Sequence, residues 1–177
     1  MPLDLDRFKN ALASFPSGIC IVTTADPAGK PWGFTASAFS SLSLDPPLVL
    51  VCLDRRADSH DAFYNAGHFA ISILAAHQLH LAIRFATKGI GKFEGIATAL
   101  GSQTGVPLIP DAVVHLECRM HQTLPAGDHT ILIGEVLVAD LTNAEPLVTH
   151  NRRYGIFSEQ MLDPVTGLAA QEQHRQA

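Results

Sequence analysis

The residues best placed for chemistry lie in one run, Gly33-Phe34-Thr35-Ala36-Ser37-Ala38-Phe39-Ser40-Ser41-Leu42-Ser43-Leu44-Asp45-Pro46-Pro47. A strand that serves only a core alternates Val or Ile with polar residues. This one alternates small residues with short hydroxyls and leaves room beside its backbone. A ligand in that room would read main-chain N–H and C=O groups and short hydroxyls. A plain Ser-rich loop is the alternative. Asp45-Pro46-Pro47 ends the strand, because consecutive prolines cannot donate to a ladder.

Three further groups carry possible chemistry. Gly127-Asp128-His129 would present an imidazole at the mouth of a hairpin, or simply form an exposed turn. Ser59 opens a short helix and is either a phosphate seat backed by free N–H groups or an ordinary N-cap. Arg84, Lys88 and Lys92 flank the break at Gly89-Ile90-Gly91 and could add positive charge near the same anion. That break is not a nucleotide loop of known type. A Walker loop needs Gly where Ala86 stands and Ser or Thr where Phe93 stands, and a dinucleotide fingerprint from Gly89 needs Gly where Glu94 stands. The nine histidines include the pairs His77/His80 and His115/His121, but no Cys or carboxylate completes zinc spacing, so no metal is expected. No Gly-x-Ser-x-Gly elbow supplies a hydrolase nucleophile.

The elements that must position these groups follow from periodicity. Residues 3–15 set Leu3, Leu5, Phe8, Ala11, Leu12 and Phe15 on one helical face, stopped by Pro16-Ser17-Gly18. Ile19 to Thr24 is a strand, and Asp26 to Pro31 is a turn into the Ser-rich run. Leu48 to Leu53 is continuously apolar and fits a strand covered on both sides. A short helix follows Ser59, a strand runs from Phe69 to Leu74, and a helix from Ala75 to Thr87. Residues 98–111 are irregular. Ala112 to Leu124 and Thr130 to Leu141 form a long hairpin, and Pro146 to Thr149 is a short last strand. Strand follows strand with few helices between, so the expected fold is mainly β, an antiparallel sheet closed as a β-barrel with added helices.

Composition bounds the rest. The 177 residues suit one domain over 1–177, with a core at about 8–157 and a polar tail at 158–177. A hydrophobic share of 47% against 16% charged makes a globular protein with apolar surface left for self-association. The net charge of −5 without a basic stripe argues against nucleic acid. Cys20, Cys52 and Cys118 are widely spaced in apolar runs, which suits free thiols in a reducing compartment. Asp4, Asp6, Arg7 and Lys9 leave no apolar signal region, and no run is long enough to span a bilayer, so a cytoplasmic, non-membrane protein is expected.

Taken in order, the chain resembles the flavin reductase family, whose members have the FMN-binding split-barrel fold and include the reductase components of two-component flavin-dependent monooxygenases. The resemblance spans about Phe8 to Tyr154. It is carried by Gly33-x-Thr35-Ala36-x-x-Phe39-x-Ser41-x-Ser43-Leu44-Asp45-Pro46-Pro47-Leu48-Val49, by Cys52-Leu53-Asp54-Arg55-x-x-x-Ser59, by Arg84-Phe85-Ala86 with Lys92-Phe93-x-Gly95, by Gly127-Asp128-His129-Thr130 with Gly134-Glu135-Val136, and by Arg153-Tyr154. It implies an antiparallel Greek-key split barrel that binds FMN or FAD and takes hydride from NADH or NADPH. It further implies flavin along Gly33, Thr35, Ala36, Ser37, Phe39 and Ser40, with Leu53, Asp54 and Arg55 beside it. Phosphate would sit near Ser59, Arg84, Phe85, Ala86 and Lys92. Nicotinamide would approach His129, the expected catalytic residue, and Arg152, Arg153, Tyr154 and Gly155. Two positions depart from the family pattern: Ser37 stands where Asn is frequent, and Gly91 where Asp usually precedes the Lys-Phe pair. The resemblance also implies a homodimer and an oxygenase partner fed with reduced flavin. The alternatives are a split-barrel flavin binder without turnover and an oxidase of the pyridoxamine-phosphate type on the same fold.

Overall fold

Alternating apolar and polar residues extend most of the chain into strands, and a computed structural model describes residues 2–158. The expected polar tail lies, from residue 159 on, outside the described residues. Helix α1 (Leu5–Ala13) is followed by β1 (Ser17–Gly18), β2 (Cys20–Ala25), β3 (Pro31–Ala36), β4 (Phe39–Leu44), β5 (Pro47–Asp54), α2 (His60–Tyr64) and β6 (His68–Ile73). A 3-10 turn (Ala76–Gln78) runs into α3 (Leu79–Ala86), and β7 (Ala99–Leu100), β8 (Pro107–Leu108), β9 (Val114–Ala126), β10 (His129–Leu141), β11 (Leu147–His150) and β12 (Arg153–Ile156) complete the order.

Seven strands form one sheet in the order β3-β2-β6-β9-β10-β5-β4, antiparallel at every pairing. Strands β3 and β4 are adjacent in sequence yet occupy opposite edges. Only Ser37 and Ala38 join them, so the sheet must curl until its edges meet. The two edges do not pair with each other, which leaves the barrel split there. The Ser-rich run is therefore two strands and not one, as the sequence alone suggested. The break falls at two small residues, Ser37 and Ala38.

Val22, Phe34, Val49, Val51, Leu53, Phe63, Phe69, Ile71 and Leu132 fill the barrel, with the Phe34 and Phe63 rings edge to face at 5.0 Å. Strand β2 is buried on both faces. Its Cys20 and Val22 point into the barrel, while Ile21, with Ile19 just ahead of it, meets Leu81, Ala82 and Phe85 of α3 in a second core. Gly134 sits at a register shift of β10 against β9, and a Cβ there would strike the Phe69 ring and approach Cys118 Cβ to 2.8 Å. This glycine makes room for the ring.

Strand β5 departs from the expectation of cover on both sides. Val49, Val51 and Leu53 are buried, whereas Leu48, Leu50 and Cys52 on its other face are only partly covered among the described residues. The stretch expected to be irregular contains the short β7–β8 ladder. It also wraps Glu117 of β9, whose carboxylate accepts from Ser102 N (2.8 Å), Gln103 N (3.0 Å) and Thr104 N (2.8 Å) and from the Ser102 and Thr104 hydroxyls. A last hairpin, β11–β12, extends past the expected final strand, turning on Asn151 and Arg152, both at positive φ.

Candidate functional site

The split opens as a groove of about 290 Å³, walled by residues 34–38, the end of β5, the end of α3 and the start of β10. Ser37 and Ala38 are exposed in it, and Ala38 O is held by Cys52 N at 3.1 Å. Thr35 lines the groove, but its hydroxyl donates to Ala82 O of α3 at 2.7 Å, so it fixes helix to strand. Gly33 lets α3 come close, since a Cβ there would meet Phe85 Cε1 at 2.8 Å and Val22 O at 3.1 Å.

Pairing of β5 with β10 sets His129 opposite Asp54 and so delivers the imidazole to the groove. The β9–β10 connection is a two-residue turn with Gly127 at φ 61°, a conformation glycine takes freely. Nδ1 of His129 lies 2.7 Å from Asp128 Oδ1. The carboxylate orients the ring, and that hydrogen bond from His129 holds the Asp128 carboxyl below its ordinary range. Arg56 binds Asp54 through its guanidinium (3.2 Å) and its backbone N–H (2.8 Å), which brings the Asp54 carboxyl down to about 2. Arg55 contributes a backbone bond to Asp128 O at 3.0 Å, and its side chain is not among the groove residues.

The third wall is a loop, residues 88–95, tied down by Arg84. Its guanidinium donates to Lys92 O (2.7 Å), Gly91 O (2.8 Å) and Glu94 O (2.6 Å), and Phe93 packs edge to face on Phe85 at 4.9 Å. Arg84 was expected near phosphate; its Nε and Nη2 donate to those three carbonyls and brace this loop. The loop carries Lys92 to the groove, where Nζ donates to Gly33 O at 3.2 Å and burial lowers the ammonium's pKa. Lys88 lines the groove as well. Ser59 is buried and directly precedes α2, yet its side chain makes no cap bond, and its Oγ has no hydrogen-bond partner among the described residues. A buried hydroxyl without a partner beside two lysine-bearing walls fits a phosphate oxygen.

Of the residues named from sequence, Thr35, Ala36, Ser37, Leu53, Asp54, Phe85, Ala86, Lys92 and His129 line this groove, while Gly33 and Ser59 line a cavity next to it. Phe39 and Ser40 lie on β4 beyond the groove. Arg152, Arg153, Tyr154 and Gly155 lie on the exposed β11–β12 hairpin and its turn and are not among the residues of either cavity. Sequence reasoning passed over Phe34, Ala38, Cys52, Ala57 and Asp58 as groove residues. Cys52 was findable, since it shares strand parity with Asp54.

A family model described as the flavin reductase like domain matches residues 12–158. The chain is 44% identical over 136 residues to the actinorhodin polyketide dimerase of Streptomyces coelicolor, covering 77% of this chain and 76% of that protein. It is 42% identical over 153 residues to the FMN reductase (NADH) SmoA of Agrobacterium fabrum, covering 86% of each. It is 41% identical over 156 residues to the reductase component of a 4-nitrophenol 4-monooxygenase/4-nitrocatechol 2-monooxygenase of Rhodococcus opacus, covering 88% and 83%. Among solved structures it superposes with a TM-score of 0.82 on the NADH:FAD oxidoreductase SgcE6 of Streptomyces globisporus, in complex with NAD and FAD fragments, at 36% identity over 88% of this chain and 93% of that one. The split between β3 and β4, the small residues that line it and these matches place the chain in the flavin reductase family.

Proposed function

We propose that this protein reduces FMN or FAD with NADH and hands the reduced flavin to a monooxygenase. The single observation that carries the reading is the groove at the barrel split, where small residues expose main chain on one side and His129 faces from the other. When bound together, the nicotinamide supplies the hydride and the flavin ring accepts it. The chain's own work is positional. Residues 35–38 offer backbone groups to the ring edge, where fixed N–H dipoles favour the charge that develops. Ser59, Lys88 and Lys92 hold phosphate, and Phe85 and Leu53 close the floor. His129, turned by Asp128, would orient the nicotinamide for hydride transfer.

The chain acts as one domain and as a homodimer. Leu42 and Leu44 of β4 are 48% and 93% exposed, the outer face of β5 is only partly covered, and α1 buries none of its residues. Exposed apolar residues of this kind suit a second copy. Its three free thiols suit the reducing cytoplasm.

The test is loss of NADH absorbance on adding FMN or FAD to purified protein, followed by the same assay on His129→Ala. Wild-type protein is expected to oxidise NADH only with flavin present. The variant is expected to lose about tenfold in kcat/KM for NADH, about 1.4 kcal/mol of transition-state binding, with flavin affinity retained. Unchanged reduction kinetics would remove His129 from the mechanism, and flavin binding without turnover would make the protein a carrier.

A further inference from the structure

Helix α2 inserts Phe63 into the barrel core, where it is fully buried against Phe34. Residues three apart share a helix face, so the same packing sets His60 over the start of β10. We propose, building on the flavin-reductase reading, that His60 is a positioning residue for His129 and acts through Thr130. Nε2 of His60 lies 2.9 Å from the Thr130 hydroxyl, a bond that spans 70 residues of chain. The imidazole is itself held. Tyr64 stacks on it with ring centroids 5.9 Å apart and planes at 24°, Nδ1 lies 3.4 Å from Asp61 Oδ1, and the side chain is 16% exposed.

Successive side chains of a strand point to opposite faces. Thr130 is buried and turns inward, while its neighbour His129 turns to the groove. Fixing the Thr130 hydroxyl therefore fixes the roll of the strand at this point, and with it the direction in which the His129 ring leaves. The end of the β9–β10 hairpin has use for such an anchor. Strand β6 pairs with β9 from Val114 to Arg119, and residues 121, 122 and 124–128 beyond that pairing are exposed. On the other edge the β5 ladder ends where His129 faces Asp54, followed by one bond from Arg55 N to Asp128 O at 3.0 Å. Those are backbone ties. The bond from His60 adds a side-chain tie on the inner face of the same segment. A misplacement of about 1 Å at a reacting group can cost on the order of a hundredfold in rate, so even a small rotation here is kinetically visible.

Thr130→Val keeps the shape and removes the hydroxyl, His60→Phe keeps a ring on Tyr64 and removes the nitrogens, and Thr130→Ser restores the bond. Each of the first two is expected to lower kcat/KM for NADH by roughly three- to tenfold, the worth of one hydrogen bond. FMN affinity should change by less than about twofold, with Thr130→Ser close to wild type. Placed on His129→Ala, the same substitutions are expected to change kcat/KM by less than about twofold, because no imidazole is left to aim. Equal losses in both backgrounds would mean general damage to the fold and overturn the proposal, as would wild-type kinetics in both single variants. A second readout needs no turnover. Nδ1 of His129 faces a carboxylate that only accepts, so it carries the proton. Ring-nitrogen NMR is expected to show that tautomer in the wild type and a mixture in Thr130→Val and His60→Phe. Unchanged His129 signals in both variants refute the positioning role whatever the kinetics. The parent readings fail by different signs. His129→Ala with unchanged kinetics removes His129 from hydride transfer and His60 with it. Wild-type protein that oxidises no NADH with FMN or FAD ends the reductase reading, and the NMR comparison still decides whether His60 aims His129.

Discussion

At the scale of single residues, burial sorts the three cysteines. Desolvation pushes the Cys20 and Cys118 thiols up to about 12, which leaves essentially no thiolate at neutral pH. Cys52 is raised too, for the same reason, but it is partly exposed on the groove side of β5. Labelling of native protein with a thiol reagent at pH 8 is expected to modify Cys52 alone, slowly, with all three reacting after unfolding and bound flavin slowing the first. Rapid native labelling of Cys20 or Cys118, or indifference of Cys52 to flavin, would contradict its placement. At Gly91 a side chain would meet only the exposed, flexible carboxylate of Glu94, and the departure from the family pattern there has no structural explanation.

At the scale of elements, the loops that frame the barrel are held by buried or half-buried charges. Arg84 gathers three carbonyls of residues 91–94, and Glu117 gathers the N–H groups and hydroxyls of residues 102–104. Burial pushes the Glu117 carboxyl up, but hydrogen bonds from Thr104, Gln103 and Ser102 outweigh it and hold the group below its ordinary value. A depressed carboxyl contributes stability that is present above its unfolded pKa and fades as pH falls through the folded one. Glu117→Gln replaces an acceptor by a donor facing donors. It should cost about 2–3 kcal/mol at pH 7, and the gap to wild type should narrow below about pH 4.3. Urea melts of both proteins across pH 3–7 measure this, and a pH-independent gap would show that the charge is not what holds the loop.

At the scale of the molecule, the apolar surface on β4, β5 and α1 asks for a partner. Sedimentation of wild-type protein is expected to give a two-chain mass. Leu44→Glu, which sets a charge on a side chain that contacts little within its own chain, should shift the mass toward one chain with little loss of monomer stability. A single-chain mass for the wild type would sink the homodimer and require another cover for these leucines. A dimer would also give the β11–β12 hairpin a role: Arg153 and Tyr154 do not reach the groove of their own chain, and a neighbouring copy is the remaining way for them to meet it.

The sequence by itself determined the strand-rich class, because period-two patterning and turn residues act over a few neighbours. It also marked most of the groove, because small residues and hydroxyls in a strand are legible wherever they stand. Only the tertiary structure decided that the Ser-rich run breaks at Ser37-Ala38, that Arg84 serves a loop, that Ser59 lacks a partner among the described residues, and that His60 bonds Thr130. Each of these depends on which edges a curled sheet brings together and on what remains to fill a side chain's hydrogen bonds. Those are contacts between residues far apart in the chain, and local pattern carries no record of them.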